Sequence, residues 1–444
     1  MNKISYYYNL IFFKDFYLSV LWLVILLGIN VNISQMNISN NENLLEWTYS
    51  IRGYVQFVIL IFLLYKNLSI FRDLKKINYF FILFFLYNLI QIYSLILSDN
   101  NNYNIIYNIL ALNVLFFLNI IFIKRKEEVQ KILYLLIILI TFVYLAFLTE
   151  YIYNLIIKDY LFYGHHELKS GLLPVINMPR SSGLGRMALL IFLFFVIFID
   201  LKKIQNKFFL LSLVIPGIFL TQSRAIVCIY IVLALLLTFA KYFKLYNLQL
   251  YNLKYFAILI IIPLTISMLL TQLKASNLNY YKNLYFKTIS DTENFKLNEI
   301  KTELKILRPK HETFTSNRVN HWKDLIKKTK STESVIIGNG TQADRFLIDQ
   351  SASNATLYFF ASTGVIGLLI KAVIIINIVI ILVKKIHYLK KPSNKNNNFT
   401  YSVLVIFALL VRGLVESSYA IFSIDYIFFI LALYFINYDK KTQN

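Results

Sequence analysis

The chain has 444 residues, of which 58% are apolar and 15% charged, and its mean hydropathy is +0.60. Soluble domains carry roughly 25% charged residues, so a water-exposed globule of this composition would leave large apolar patches facing solvent, and 17% aromatic content excludes a disordered chain. The composition implies an integral membrane protein. The net charge of +22 points to nucleic acid only if the charge is clustered on one face, and its location argues against that.

A span needs about 20 mostly apolar residues. Taken in chain order, the first expected spans are centred in Tyr17–Ile33, Gly53–Tyr65, Tyr79–Leu97, Ile105–Ile123, Ile132–Leu148 and Leu184–Ile199. Six more follow in Phe208–Leu220, Ile226–Ala240, Tyr255–Leu270, Leu357–Val383, Tyr401–Val411 and Ala420–Phe435. No small-residue cleavage site follows the first apolar run, so it reads as a retained span. No internal repeat of 20–50 residues is visible. The expected fold is all-α and polytopic, with about twelve transmembrane helices.

Lys and Arg concentrate in cytoplasmic loops. With the N-terminus inside, alternate connections hold 23 of them, against 6 in the short outside loops. The inside set includes Lys66, Arg72, Lys75 and Lys76, then Lys124, Arg125, Lys126 and Lys131, and later Lys384, Lys385, Lys390 and Lys391. Both termini are therefore expected in the cytoplasm. Most of the positive charge is a topology signal, and no nucleic-acid partner is expected.

Two outside segments exceed what a connection needs, one from about Glu150 to Ser182 and one from about Thr271 to Ser353. The expected organisation is spans one to nine over 1–270 with the outer loop 150–182, a periplasmic loop domain over 271–353, and three spans with a cytoplasmic tail over 354–444. Within the loop domain, Ser316–Lys328 reads as a helix capped by Ser316, with Val319, Trp322 and Ile326 on one face. A Gly338-Asn339-Gly340 turn ends the next apolar stretch. A second helix leads through Ser353-Asn354 into the tenth span.

Charges at span depth carry the functional information, because each costs about 2.5–3.5 kcal/mol at a helix centre. Arg180, Arg186, Arg224 and Arg412 stand at the outer ends of spans, and Arg318 joins them on the loop helix. Glu416 follows Arg412 by one helical turn, so the two are expected to pair. Lys371 stands alone, midway along Leu357–Val383. One interfacial arginine is explained by snorkelling; several on one side, beside two long loops, fit an anion drawn into a shared outward-facing cavity. The planar fork of arginine suits phosphate or pyrophosphate, so a phosphorylated lipid of the outer leaflet is the expected ligand. The single cysteine, Cys228, excludes an internal disulfide and a cysteine metal cluster. The five histidines do not reach ligand spacing either: His165 and His166 are adjacent, His311 and His321 lie ten apart, and His387 falls in a cytoplasmic segment. No nucleotide loop and no metal site is expected, so an enzyme here needs a substrate already activated on a lipid carrier.

Four patterns, in order, resemble the bacterial O-antigen ligase and polymerase superfamily. They are PRSSGLG at Pro179–Gly185, LTQSRAIV at Leu220–Val227, SNRVNHW at Ser316–Trp322 with IIGNG at Ile336–Gly340, and SNATLYFFASTGVIG at Ser353–Gly367. The span layout, with one large outer loop before the last three spans, is similar too. The resemblance implies a GT-C-like membrane glycosyltransferase without cofactor or obligatory metal, working at the periplasmic face of the inner membrane. Its donor would be an undecaprenyl-pyrophosphate-linked glycan. Arg224 and Arg318 match the family's functional arginines and would hold the pyrophosphate, whose charge grows as it leaves. Arg180, Arg186, His321, Trp322, Ser353, Asn354, Arg412 and Glu416 are the further candidate substrate contacts, with Trp322 read first as an anchor for its helix. Membrane lipids and a chain-length regulator protein are the implied partners.

One departure decides between two reactions. Ligases carry His-Asn where this chain has Ser353-Asn354, and an unactivated hydroxyl is no base at neutral pH. The expected activity is therefore polymerisation of lipid-linked repeat units, with His321 as an alternative imidazole. Ligation of the glycan to lipid A core is the nearer alternative. A flippase is the more distant one, since transporters tend to have internal repeats and broken helices.

Overall fold

The computed structural model describes residues 79–97, 126–157, 181–198, 223–239, 318–330, 335–341, 343–348, 351–385, 397–420 and 424–438, with a few isolated positions besides. All are helices or the turns and short links next to them, and no strand occurs among the described residues. The helices are α1 (Tyr79–Leu97), α2 (Lys126–Ile157), α3 (Ser181–Phe198), α4 (Arg224–Phe239), α5 (Arg318–Lys330), α6 (Ala343–Ile348), α7 (Ala355–Lys385), α8 (Asn397–Arg412) and α9 (Ile424–Tyr438). A 3-10 turn, Ser418–Ala420, separates α8 from α9. The expected spans Tyr17–Ile33, Gly53–Tyr65, Ile105–Ile123, Phe208–Leu220 and Tyr255–Leu270 lie outside the described residues, apart from isolated positions.

Where a long apolar run is described, it is helical. α1 has the bounds the hydropathy indicates, and α2 overruns Ile132–Leu148 at both ends. α7 is long and apolar enough to cross a membrane, and the other described helices carry shorter apolar stretches, such as Leu133–Thr149 in α2. α7 is not one straight rod, however. Gly364, at φ 60° and ψ −152°, joins two helices inside it. The expected last span begins at Ile424, after the 3-10 turn, and not at Ala420.

The chain divides into two compact units, Met1–Ile140 with Arg318–Asn444, and Thr141–Asn317. The described part of the expected loop domain, from Arg318 onward, belongs to the first unit. At the heart of that unit is α9, which beyond Asp425 is almost wholly apolar and is buried from Ile424 to Phe435. A helix this apolar is covered by protein or by lipid, and here α8, whose Phe399, Tyr401, Leu404, Val405, Ala408 and Leu409 are buried, packs against it. Rings then tie α1, α7, the 3-10 turn and α9 together. Tyr87 stacks on Phe359 at 4.3 Å, Tyr419 on Phe429 at 4.6 Å, and Phe84 meets Tyr426 edge-on at 5.6 Å. Each such pair contributes about 0.5–1.5 kcal/mol beyond its buried area.

In the second unit α3 packs on α4, with Phe192 and Tyr230 at 5.0 Å. Ser223 stands at the N-cap of α4, its carbonyl accepting from the Val227 amide at 3.0 Å, so Arg224 is the first helical residue. Tyr144 fills the space beside Gly217 that a larger residue would occupy.

Candidate functional site

The break in α7 would leave buried amides and carbonyls without partners, which is costly at membrane depth. A loop supplies them. Val365 and Ile366 donate to the carbonyls of Val335 and Ile336 at 3.0 and 3.2 Å, and Asn339 and Gly340 donate to the carbonyls of Ala361 and Ser362, both at 2.9 Å. The segment 335–340 is thus spliced into the helix by four backbone hydrogen bonds. Glycine is required on both sides of the junction. A Cβ on Gly338 (φ +86°) would strike the backbone of Thr363 and Gly364, and one on Gly364 would strike the carbonyls of Val335 and Ile336. The Gly338-Asn339-Gly340 turn is present as its sequence indicates, and α1 secures it through Ser94, whose Oγ donates to the Ile337 carbonyl at 2.7 Å.

Beside this junction the segments 351–355 and 413–417 are cross-linked in antiparallel order. Ser351 Oγ lies 3.5 Å from Ser417 Oγ, Asn354 Nδ2 donates to the Leu414 carbonyl at 2.9 Å, and the Ala355 amide donates to the Gly413 carbonyl at 2.7 Å. That register sets Ser353 opposite Val415, and Ala352 opposite Glu416. Asn354 also caps α7, its Oδ1 accepting from the Leu357 amide at 3.1 Å. Asp344, buried in the first turn of α6, accepts the Ala352 amide at 2.7 Å and fixes the segment from behind. Ser353 itself is half-buried at φ +46°, a left-handed conformation unusual for serine.

α5 docks onto this pair of segments by two side chains one turn apart. Arg318 Nη1 donates to the Val415 carbonyl at 2.6 Å and its Nη2 lies 3.5 Å from Glu416 Oε1, while Trp322 Nε1 donates to the Ala352 carbonyl at 2.7 Å. The docked face of α5 is therefore Arg318, Trp322, Leu325 and Thr329, not the Val319–Trp322–Ile326 face expected. Leu325 is fully buried, and Val319 is 38% exposed. The polar ends of Arg318 and Trp322 find acceptors only on the α7–α8 side, and those bonds set the rotation of the helix. The anchoring role expected of Trp322 agrees with its bond to Ala352.

The expected Arg412–Glu416 pair does not form. Arg412 ends α8 buried, and its guanidinium is bonded to the Asp425 carboxylate, which also accepts from Ser418 Oγ at 2.7 Å. The backbone still turns through this stretch, the Glu416 amide donating to the Arg412 carbonyl at 2.9 Å, but the Arg412 guanidinium is drawn inward by the buried carboxylate of Asp425. Glu416 turns to Arg318 instead. Arg412 is consequently a buried structural pair with Asp425, a residue for which the sequence held no local signal.

The first unit thus brings Arg318, Trp322, Ser353, Asn354 and Glu416 onto one surface, where the side chains of Arg318 and Glu416 are 35% and 23% exposed. His321 is half-buried on the flank of α5. In the second unit, Arg186 is half-buried on α3 and Arg224 opens α4. Arg180 lies outside the described residues. A guanidinium has five N–H donors, and Arg318 directs one at a carbonyl, so others remain for an anion that shares it with Glu416. Among the described residues no group of His, Cys, Asp and Glu could hold a metal ion. No protein-family model matches this chain, and no curated protein is similar to it.

Proposed function

We infer that this chain is a polytopic inner-membrane glycosyltransferase of about twelve spans. It polymerises undecaprenyl-pyrophosphate-linked repeat units at the periplasmic face, with no metal or cofactor. The observation that carries the reading is Arg318. It is half-exposed, oriented by the Val415 carbonyl and Glu416, and surrounded by Trp322, Ser353 and Asn354. A preoriented guanidinium beside an indole, a hydroxyl and an amide suits a glycosyl diphosphate. The cation stabilises the leaving pyrophosphate, and the neutral polar groups suit a sugar. Arg224, the first residue of α4, is the other arginine singled out by the resemblance, and a chain-length regulator is the proposed protein partner.

The broken helix α7 bears on the flippase alternative. Transporters leave the polar groups of such breaks to coordinate their cargo. Here the groups at the break are engaged by 335–340, so the break anchors a loop. Ser353, where the resembled ligases have histidine, favours polymerase over ligase.

The test is the surface glycan of cells carrying Arg318→Ala or Arg224→Ala, with membrane protein level measured alongside. Each variant is expected to lose long glycan chains while single repeats remain attached to the core. Bare core with accumulated lipid-linked polymer would indicate ligase, and single units stranded on the cytoplasmic leaflet would indicate flippase. Long chains at normal level in both variants would overturn the reading.

A further inference from the structure

Lys371 lies midway along the apolar run of α7, yet its ammonium is not at mid-span. Nζ donates to Thr356 Oγ1 and sits 5.8 Å from the centre of the Phe359 ring. Fifteen residues of straight helix would separate Lys371 and Thr356 by ~22 Å, well beyond the reach of a lysine. The contact exists because the chain folds back at Gly364 and sets the two halves of α7 side by side. Gly367 marks the closeness of that packing, since a Cβ there would press on the Phe359 carbonyl and the Thr363 hydroxyl. Thr356 follows Ala355, whose amide is bonded to Gly413. The ammonium is therefore bonded one residue beyond Ala355, at the end of the cross-linked segments that receive Arg318 at Val415.

Lys371 is only 7% exposed, and among the described residues no carboxylate pairs with it. Its two contacts there, a hydroxyl and a ring face, are neutral. A buried cation without a counter-ion is costly, and a charged group inside an apolar segment marks a functional site by default. The adjoining surface carries a second cation, Arg318, beside a hydroxyl and an amide.

We propose that Lys371 is a phosphate-binding residue of the candidate site, contacting the diphosphate of a prenyl-linked substrate from below while Arg318 contacts it from above. This rests on the glycosyl-diphosphate reading of the site. The ammonium contributes as a point charge with three donors, of which Thr356 occupies one and leaves two for the ligand.

The experiment uses the full chain in nanodiscs of zwitterionic lipid, with farnesyl diphosphate as probe and farnesol and phosphatidylglycerol as comparisons. Lys371→Gln keeps a donor for Thr356 and removes the charge; Thr356→Val removes the bond and keeps the charge. Farnesyl diphosphate affinity is expected to fall about tenfold or more in Lys371→Gln, the loss typical of a hydrogen bond to a charged group, and to hold within about twofold in Thr356→Val and Lys371→Arg. Farnesol binding is expected to be unchanged, and phosphatidylglycerol is not expected to displace the diphosphate. Equal diphosphate affinity in wild type and Lys371→Gln overturns the role of Lys371 while the site stands. Equal losses in Thr356→Val and Lys371→Gln reduce Lys371 to a clasp between the two halves of α7. Displacement by phosphatidylglycerol makes this a phospholipid head-group site. Failure of the wild type to bind farnesyl diphosphate removes the diphosphate reading itself.

Discussion

Replacing Gly364 by alanine tests the splice between the loop and α7 directly. At φ 60° and ψ −152° the residue occupies a region of backbone space essentially restricted to glycine, where other residues are strained by about 1–3 kcal/mol. The new methyl also meets the Val335 and Ile336 carbonyls, so the loop has to withdraw. Withdrawal breaks the bonds from Val365 and Ile366, each contributing about 1 kcal/mol net and more if its donor stays buried without an acceptor. The combined destabilisation of the docked loop is on the order of 4 kcal/mol. Hydrogen exchange by mass spectrometry on the full chain in nanodiscs reads this locally. The Asn339 and Gly340 amides, now bonded to Ala361 and Ser362, should exchange up to about 1,000-fold faster, at tenfold per 1.4 kcal/mol. Leu369→Ala, at a site 61% exposed on the same helix, is the control and should shift exchange by less than about threefold. Unchanged protection of Asn339 and Gly340 in Gly364→Ala would refute the splice as the element that fixes this loop.

Substitutions at three further places probe the first unit. Asp425→Asn or Arg412→Ala leaves one buried partner uncompensated and is expected to cost about 3–5 kcal/mol in thermal unfolding, whereas the double replacement Arg412→Met with Asp425→Leu should cost much less; equal losses would show that the pair is not the source of the effect. Trp322→Phe removes only the bond to Ala352, so stability should fall by about 1 kcal/mol while polymer length on the gel stays normal, and loss of polymer with the fold intact would mean that the indole contacts the sugar. Ser353→Gly relieves the φ of +46° and should be neutral or stabilising by up to about 1 kcal/mol, with Ser353→Val destabilising. Ser353→His should not create ligation by itself, and a substantial gain of glycan on lipid A core would show that this position chooses the acceptor.

What was legible in the residues alone was local. Apolar runs marked α1 and the middle of α2, and they marked α3, α4 and α8 to within a few residues, because burial along a helix depends on composition and period. The Gly338-Asn339-Gly340 turn was legible because positive φ favours glycine. Arg318 and Trp322 could be singled out for their chemistry. Which way α5 turned them could not, since Val319 and Ile326 offered an equally periodic face. The break at Gly364 left no mark: in an apolar run without proline, Thr363-Gly364-Val365 reads as continuous helix. Only the loop carbonyls that arrive from Val335 and Ile336 make the break stable. The same holds for charge. Arg412 and Glu416 look like partners one turn apart, yet Asp425 and Arg318, from other stretches of the chain, take their places. Lys371 reads as a mid-span charge until the chain folds back and carries its ammonium up to Thr356. Composition and period thus determined where the described residues are helical, since each residue's preference for burial is its own. Only the folded chain determined what its polar groups meet, because each partner comes from a different stretch of sequence.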